Sequence, residues 1–300
     1  MAGSRIRRVI GSDHVAGWAF AFPAVALIFI FGVVPIVWSA VLSFQKTNLL
    51  SPPQWVGLAN YRAFSKDPYF KQAMIHSAIY TALFVPISVA GGMFTAIALN
   101  RKLRGIRLYR TAVFVPVVVS TIATAIIFLW VFDPHFGLVN WLLAKVGLGP
   151  FGFFESPNGA LYSIVMMTVW GWIGFDVIIF LAALQGIPPE LVEAAQIDGA
   201  KTWGIFRSVT FPLLGPVTLF LVVWSSINAL QLFDEVYLIT NGTGGPGTAT
   251  LVPVLYLFNL AFHQGLAGYA AAIAYVLFVV ILALTLIQLA VGKRMVYYAS

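Results

Sequence analysis

Residues 268–291 read GYAAAIAYVLFVVILALTLIQLAV, without one Asp, Glu, Lys or Arg. At 1.5 Å of rise per helical residue, such a run crosses a hydrocarbon core about 30 Å thick. Working outward from it, charges and Pro/Gly clusters mark off further apolar runs at about 17–43, 72–99, 111–132, 160–184 and 212–235. A helix satisfies its own backbone polar groups, as a segment immersed in lipid must. A membrane barrel would show alternating segments of about ten residues instead, and these runs are continuous. The expected fold class is an all-α membrane protein with six transmembrane helices filling residues 17–291.

Composition agrees with this reading. Apolar residues make up 60% of the 300 and charged residues 9%, against about 25% charged in a soluble domain. Mean hydropathy is +0.93. A soluble enzyme and a disordered chain are excluded. The absence of Cys excludes a disulfide scaffold, thiol catalysis, Cys-ligated zinc and iron–sulfur clusters. The first run exceeds the roughly 7–15 residues of a signal-peptide core, and no A-x-A-like site closes it. It is read as an uncleaved span.

Lys and Arg set the orientation. Arg5, Arg7 and Arg8, then Arg101, Lys102, Arg104, Arg107 and Arg110, then Lys201 and Arg207, then Lys293 and Arg294 fall on one side of the six spans. Lys46, Arg62, Lys66, Lys71 and Lys145 fall on the other. The positive-inside rule places segment 1–16 and tail 292–300 in the cytoplasm, on a multi-pass chain. The basic clusters read as anchors beside anionic membrane lipid. A nucleic-acid face would need a contiguous basic surface with interleaved aromatics, so no nucleic-acid partner is expected. On the outer side, 45–70 is a polar loop containing Ser51-Pro52-Pro53. Residues 138–146 read as a short interfacial helix with Trp141 at headgroup level, and 241–249 as a flexible turn.

The loop between the fourth and fifth spans, 185–211, is patterned. Pro188 and Pro189 suit the first turn of a helix, and Glu190 and Glu193 lie near its positive dipole end. Leu191, Val192, Ala194 and Ala195 offer a small apolar face. Gly199 stops or bends the helix, and a second amphipathic piece, 202–207, leads to Pro212 and the fifth span. Two readings stand on this pattern: a short helix shaped for a groove on another protein, or an interfacial helix with no partner.

The stretch Glu193-Ala194-Ala195, with Gly199 and then Val209-Thr210-Phe211-Pro212, resembles the EAA loop of ATP-binding-cassette importer permeases. Val56-Gly57-Leu58-Ala59-Asn60-Tyr61, Phe132-Asp133-Pro134 with Gly137-Leu138-Val139-Asn140, and Leu232 through Thr240 with Gly244-Gly245-Pro246 are similar to outer-loop segments of the carbohydrate-uptake, maltose-transporter-type, first-permease-like subfamily. The resemblance implies an EAA-type coupling helix between spans 4 and 5, on the cytoplasmic side of a prokaryotic cell membrane. It implies coupling to the ATPase through Glu193, Ala194, Ala195, Asp198 and Gly199. It further implies a second, paralogous permease subunit, two cytoplasmic ATPase domains and an extracytoplasmic solute-binding protein. ATP and Mg would sit on the ATPase partner, and this chain would bind no cofactor. Glycerol-3-phosphate and glycerophosphodiester permeases share the pattern, so that solute class is the alternative within the family.

Catalytic signatures are missing from the sequence. Gly292-Lys293 is followed by Arg294 and lacks the upstream glycine of a phosphate-binding loop. His14, His76, His135 and His263 are scattered, and no G-x-S-x-G occurs. No catalytic or metal-ligating residue is therefore assigned. An intramembrane lipid-modifying enzyme and a secondary transporter are the alternatives from other classes; the latter would show repeated halves.

An ionisable group inside a span costs about 2.5–3.5 kcal/mol on insertion scales and calls for a reason. Asp176 is the clearest case. It either faces a watery cavity and accepts hydrogen bonds from solute hydroxyls, or faces the bundle and pairs with a neighbour's polar group. Asn228, Gln231 and Asp234, at intervals of three, would share one stripe of a continuous helix and line a solute path. Trp172 is a candidate aromatic platform, although Trp in membrane proteins also marks interfaces. Ser225 and Ser226 read as helix-packing groups. Asp234 and adjacent Glu235 either line the path or lie at the water boundary. If they line it, the acid lining disfavours a phosphate ester.

Overall fold

The computed structural model describes residues 13–48, 50–101 and 104–295. The expectations for residues 1–12, for Lys102 and for 296–300 lie outside the described residues. The chain divides into two compact units, one of residues up to Ala63 with Leu260–Tyr275, the other of Phe64–Asn259 with the chain from Val276 onward.

In the first unit, α1 (Asp13–Ile28) and α2 (Val34–Ser43) are joined by a π-helical turn, Phe29–Val33. Together they make the apolar stretch Gly17–Ser43, none of whose most apolar window is buried within the protein. A two-residue antiparallel ribbon follows, β1 (Gln45–Lys46) with β2 (Gln54–Trp55), then α3 (Ala59–Ala63). The motif residues of this region act as ties. The Asn60 amide donates to the carbonyls of Ser43 (2.8 Å) and Gln45 (3.0 Å), and Tyr61 shares a hydrogen bond with the Ser43 hydroxyl at 2.7 Å.

The second unit is built on α4 (Pro68–Leu99) and α8 (Ala160–Gln185), which hold most of its buried side chains. Asp67 caps α4, its carboxylate accepting from the Tyr69 and Phe70 amides at 2.9 and 3.1 Å, and Pro68 occupies the first turn. Small residues set the approach of its neighbours. A Cβ on Gly92 of α4 would lie 2.5 Å from the Asp176 Cβ of α8. One on Gly174 of α8 would lie 2.5 Å from the Val113 carbonyl oxygen. Tyr80, Phe84, Ile164, Met167, Val177 and Phe180 fill the core between α4 and α8.

The run expected as a single third span is two helices, α5 (Ile106–Val118) and α6 (Thr121–Val131), bent by 103°. Val119 is extended, and Ser120 caps α6 by accepting from the Ala123 amide. The local cause is in the sequence: Pro116 weakens the end of α5, and a serine followed by a threonine starts a new helix. After α7 (Leu138–Lys145), α8 ends at Gly186. The chain continues through α9 (Pro189–Ile197), α10 (Thr202–Ile205), a π turn (Phe206–Thr210), α11 (Phe211–Leu213), α12 (Gly215–Leu230) and α13 (Asp234–Thr240). Last come α14 (Pro253–Phe258), a π turn (Asn259–His263), and α15 (Ala267–Met295). Among the described residues five helical stretches are long and apolar enough to cross a membrane, and six if the bent α5–α6 pair counts as one.

The segment expected as a flexible turn, 241–249, is tied down. The Thr248 hydroxyl donates to the Gln72 side chain at 2.9 Å, Thr250 is fully buried with its hydroxyl on the Gly245 carbonyl, and the Gly244 amide donates to the Thr240 hydroxyl. Close by, His76 bonds the Leu251 carbonyl at 3.0 Å and the Tyr256 hydroxyl donates to Asp67 at 2.7 Å. Helix α14 itself was not foreseen.

Candidate functional site: an acid-lined cavity and a projecting helix

Residues of α4, α8, α12 and α13 enclose a cavity of about 230 Å³. All five residues expected along a solute path, Asp176, Asn228, Gln231, Asp234 and Trp172, are in its wall. They do not reach it as first drawn. The stripe from Asn228 to Asp234 is broken, because α12 ends at Leu230. Gln231 caps it at φ −98°, and Phe233 turns away at φ −145°, ψ −61° before α13 begins. Asn228 thus comes from the last turn of one helix, Gln231 from a cap, and Asp234 from the start of another.

Asp176 is paired within the bundle and also lines the cavity. It is buried, and the Ser88 hydroxyl of α4 donates to its Oδ2. Its pairing partner is therefore a neighbour's polar group, as the bundle-interior reading requires, while Asp176 and Ser88 both remain in the cavity wall. Asn228 uses one side-chain donor on the Trp224 carbonyl at 2.8 Å. Gln231 and Asp234 are exposed. Ser226 packs by accepting from Gln288 of α15 at 2.8 Å, whereas Ser225 lines the cavity.

Aromatic rings furnish flat walls. Trp172, Phe175, Trp224 and Phe233 line the space, with Phe175 and Trp224 6.2 Å apart between centroids. Trp172 is 39% exposed, as suits a platform open to a ligand. The reading from sequence missed Ser88, Tyr80 and the aromatic Trp224, and it left Glu235 unassigned. Glu235 lines the cavity together with Trp172. It is the second residue of α13, just past the break that ends α12.

The second feature is α9. It carries Glu193, Ala194 and Ala195, and none of its residues is buried. Leu191, Ala194 and Ile197 recur at intervals of three, and all are exposed, Ile197 at 86%. Asp198 is its C-cap. The Gly199 amide donates to the Gln196 carbonyl and the Ala200 amide to the Ala195 carbonyl, at 3.0 and 2.9 Å. This double closure, with Gly199 at φ +79°, is a Schellman stop. The pattern-based helix of about 188–198 is therefore present with its expected stop. Past the stop, Phe206 stacks on Trp203 (5.2 Å) and lies 5.8 Å from Phe211 and 6.4 Å from Phe94 of α4, ring centre to ring centre.

Residues 88–297 match the family of binding-protein-dependent transport system inner membrane components. The chain is 40% identical over 278 residues to the lactose transport system permease protein LacF of Rhizobium radiobacter, covering 91% of this chain and 93% of that one. It is 32% identical over 277 residues to the sn-glycerol-3-phosphate transport system permease protein UgpA of Yersinia pestis, covering 91% of each. Its fold matches a chain of a bacterial alginate ABC transporter solved with a pentasaccharide-bound periplasmic protein. The TM-score is 0.85 at 23% identity, over 97% of this chain and 98% of that one. Residue matches over most of the chain's length and agreement of the whole fold lead to one assignment: the chain belongs to the family of inner-membrane permease components of binding-protein-dependent ABC transport systems.

Proposed function

We propose that this chain forms half of the translocation path of an ATP-driven importer for a sugar or sugar-like solute, with the cavity on α8, α12 and α13 as its solute-contacting part. The observation that carries the reading is the cavity wall itself. Amide, hydroxyl and carboxylate groups that match sugar hydroxyls alternate there with aromatic faces that match sugar C–H surfaces. The 40% identical lactose permease supports a sugar solute. Family membership sets aside the lipid-modifying enzyme and the secondary transporter.

In this proposal α9 seats in a cytoplasmic ATPase subunit, Glu193 making the polar contact, Ala194 and Ala195 permitting close approach, and Asp198 and Gly199 forming the stop from which the chain turns toward α12. A second, paralogous permease subunit completes the path, two ATPase domains carry ATP and Mg, and an extracytoplasmic protein delivers the solute. The chain itself holds no cofactor, and both termini are cytoplasmic in a prokaryotic cell membrane. ATP binding closes the ATPase pair and tilts α9, the cavity opens outward, and hydrolysis reverses the motion. The ATPases must bind the two states with different affinity for nucleotide to shift anything.

The test is uptake by the reconstituted complex. Each lost hydrogen bond is worth about 1 kcal/mol, so Asn228→Ala or Gln231→Ala should raise the half-saturating solute concentration roughly fivefold with assembly intact. Unchanged kinetics in both variants would remove the cavity from the path.

A further inference from the structure

We infer that Glu235, in the wall shared by two cavities, makes the path selective by charge, admitting neutral and cationic sugars and rejecting anionic ones. The inference rests on the reading of the cavity as the solute path and extends it to a substrate class and to one residue.

Three observations carry it. First, Glu235 stands at a junction. A second cavity of about 160 Å³, lined by Thr124, Thr168, Met167 and Gly171 beside the α5–α6 break, shares Thr121, Trp172 and Glu235 with the first. The Trp172–Glu235 pair is therefore common wall to both, and a solute using the two spaces passes over it. Second, a flat ring accompanies the carboxylate: Trp172 lines both cavities with Glu235, so a ligand there meets an acceptor and an indole face together. Third, nothing balances its sign. Asp176 and Asp234 line the same cavity, and among the described residues neither lining includes a Lys, Arg or His, although the chain as a whole carries +7.

The physical consequence is discrimination by repulsion. A sugar hydroxyl donates to a carboxylate, and a protonated amine does so with charge assistance. A carboxylated or phosphorylated sugar brings a like charge into a partly desolvated space with no cation in its lining to meet it, which disfavours binding. The family accommodates both kinds of solute, since it includes a permease named for sn-glycerol-3-phosphate and another named for lactose. Glu235 would put this chain with the second kind.

The experiment is saturation-transfer NMR on the complete importer in lipid nanodiscs at neutral pH, with D-glucosamine, D-glucose and D-glucuronate as probes. The inference expects signal from the first two and glucuronate weaker by about tenfold or more. Glu235→Gln removes the charge and keeps a carbonyl acceptor and the side-chain volume. It should bring glucuronate to within about threefold of glucose and weaken glucosamine by a similar factor. Equal binding of glucuronate and glucose in the unaltered protein, or ratios unmoved by Glu235→Gln, overturns the inference. Asn228→Ala separates it from the underlying reading. Signals that fall in Asn228→Ala while the charge ratios ignore Glu235→Gln leave the cavity in place and remove the filter. No signal from any probe, or signals indifferent to Asn228→Ala, removes the cavity and the filter together.

Discussion

Gly92 of α4 packs on Asp176 of α8, and the contact leaves no room for a methyl group. Gly92→Ala forces the two helices apart or the Asp176 side chain out of place, and overpacking of this kind costs about 1–3 kcal/mol. A lower midpoint of thermal unfolding in detergent is the expected outcome, and an unchanged midpoint would show that the helices yield freely. Asp176→Asn is the milder change. An amide oxygen still accepts from Ser88, so stability should stay within about 1 kcal/mol while solute affinity shifts, which uptake kinetics measure. Asp176 was legible in the sequence because an acid in a long apolar run demands an explanation. Its partner was not, because Ser88 is one of many small hydroxyls and only the fold selects it.

At the scale of elements, α9 carries the sharpest expectation. Gly199 has open space around the position of a Cβ, so the obstacle to replacement is its backbone, at φ +79°. A valine there costs about 1–3 kcal/mol of local strain, enough to redirect the chain after the Schellman stop without touching the exposed face of α9. Gly199→Val should still copurify with the proposed ATPase partner, yet that partner should hydrolyse ATP without matching uptake. Uptake in step with hydrolysis would deny the bend a part in coupling. The start of α4 allows a second test. Burial, together with the Asp67 carboxylate, holds the Tyr256 phenol protonated above its usual range, so Tyr256 remains a donor to Asp67 throughout the neutral range. Asp67→Ala removes both this bond and the helix cap, and should cost about 1 kcal/mol or more, read as a lower unfolding midpoint. Element identity was largely legible in the sequence. The long helices, the short helix at Leu138–Lys145 and α9 follow from apolar run length and from proline and glycine punctuation. What the run lengths hid are the interruptions, at Val119–Ser120 and at Gln231–Phe233, because hydropathy averages across a break of two or three residues. Pro116 and Ser120 carried a local signal of the first. Gln231-Leu232-Phe233 carried none, since its conformation is set by packing around it.

At the scale of the molecule, the orientation proposed from Lys and Arg has a direct check. The native chain has no Cys, so a single introduced thiol reports without background. Arg101→Cys should react with an impermeant maleimide only from the cytoplasmic face, and Lys145→Cys only from the outer face. The reverse pattern would invert the molecule and put α9 on the wrong side for an ATPase. The five expected path residues were found around one cavity because the polar residues of an apolar bundle have few places to converge. Trp224 escaped the reading because one Trp among nine looks ordinary in one dimension, and Glu235 stayed open between path and water boundary because a carboxylate near a span end suits either.

The gap between α12 and α13 reaches further than the residues it places. A continuous helix would have consumed its own amides and carbonyls, whereas at Gln231–Phe233 the ladder tightens, the Gln231 and Leu232 amides bonding the Asn228 and Ala229 carbonyls, and then stops within an apolar stretch. Hydrocarbon tolerates such loose ends only beside solvent or protein. This stretch should therefore hold a resident file of hydration between loads, and an arriving sugar would exchange its hydroxyls for water molecules already standing at those backbone groups.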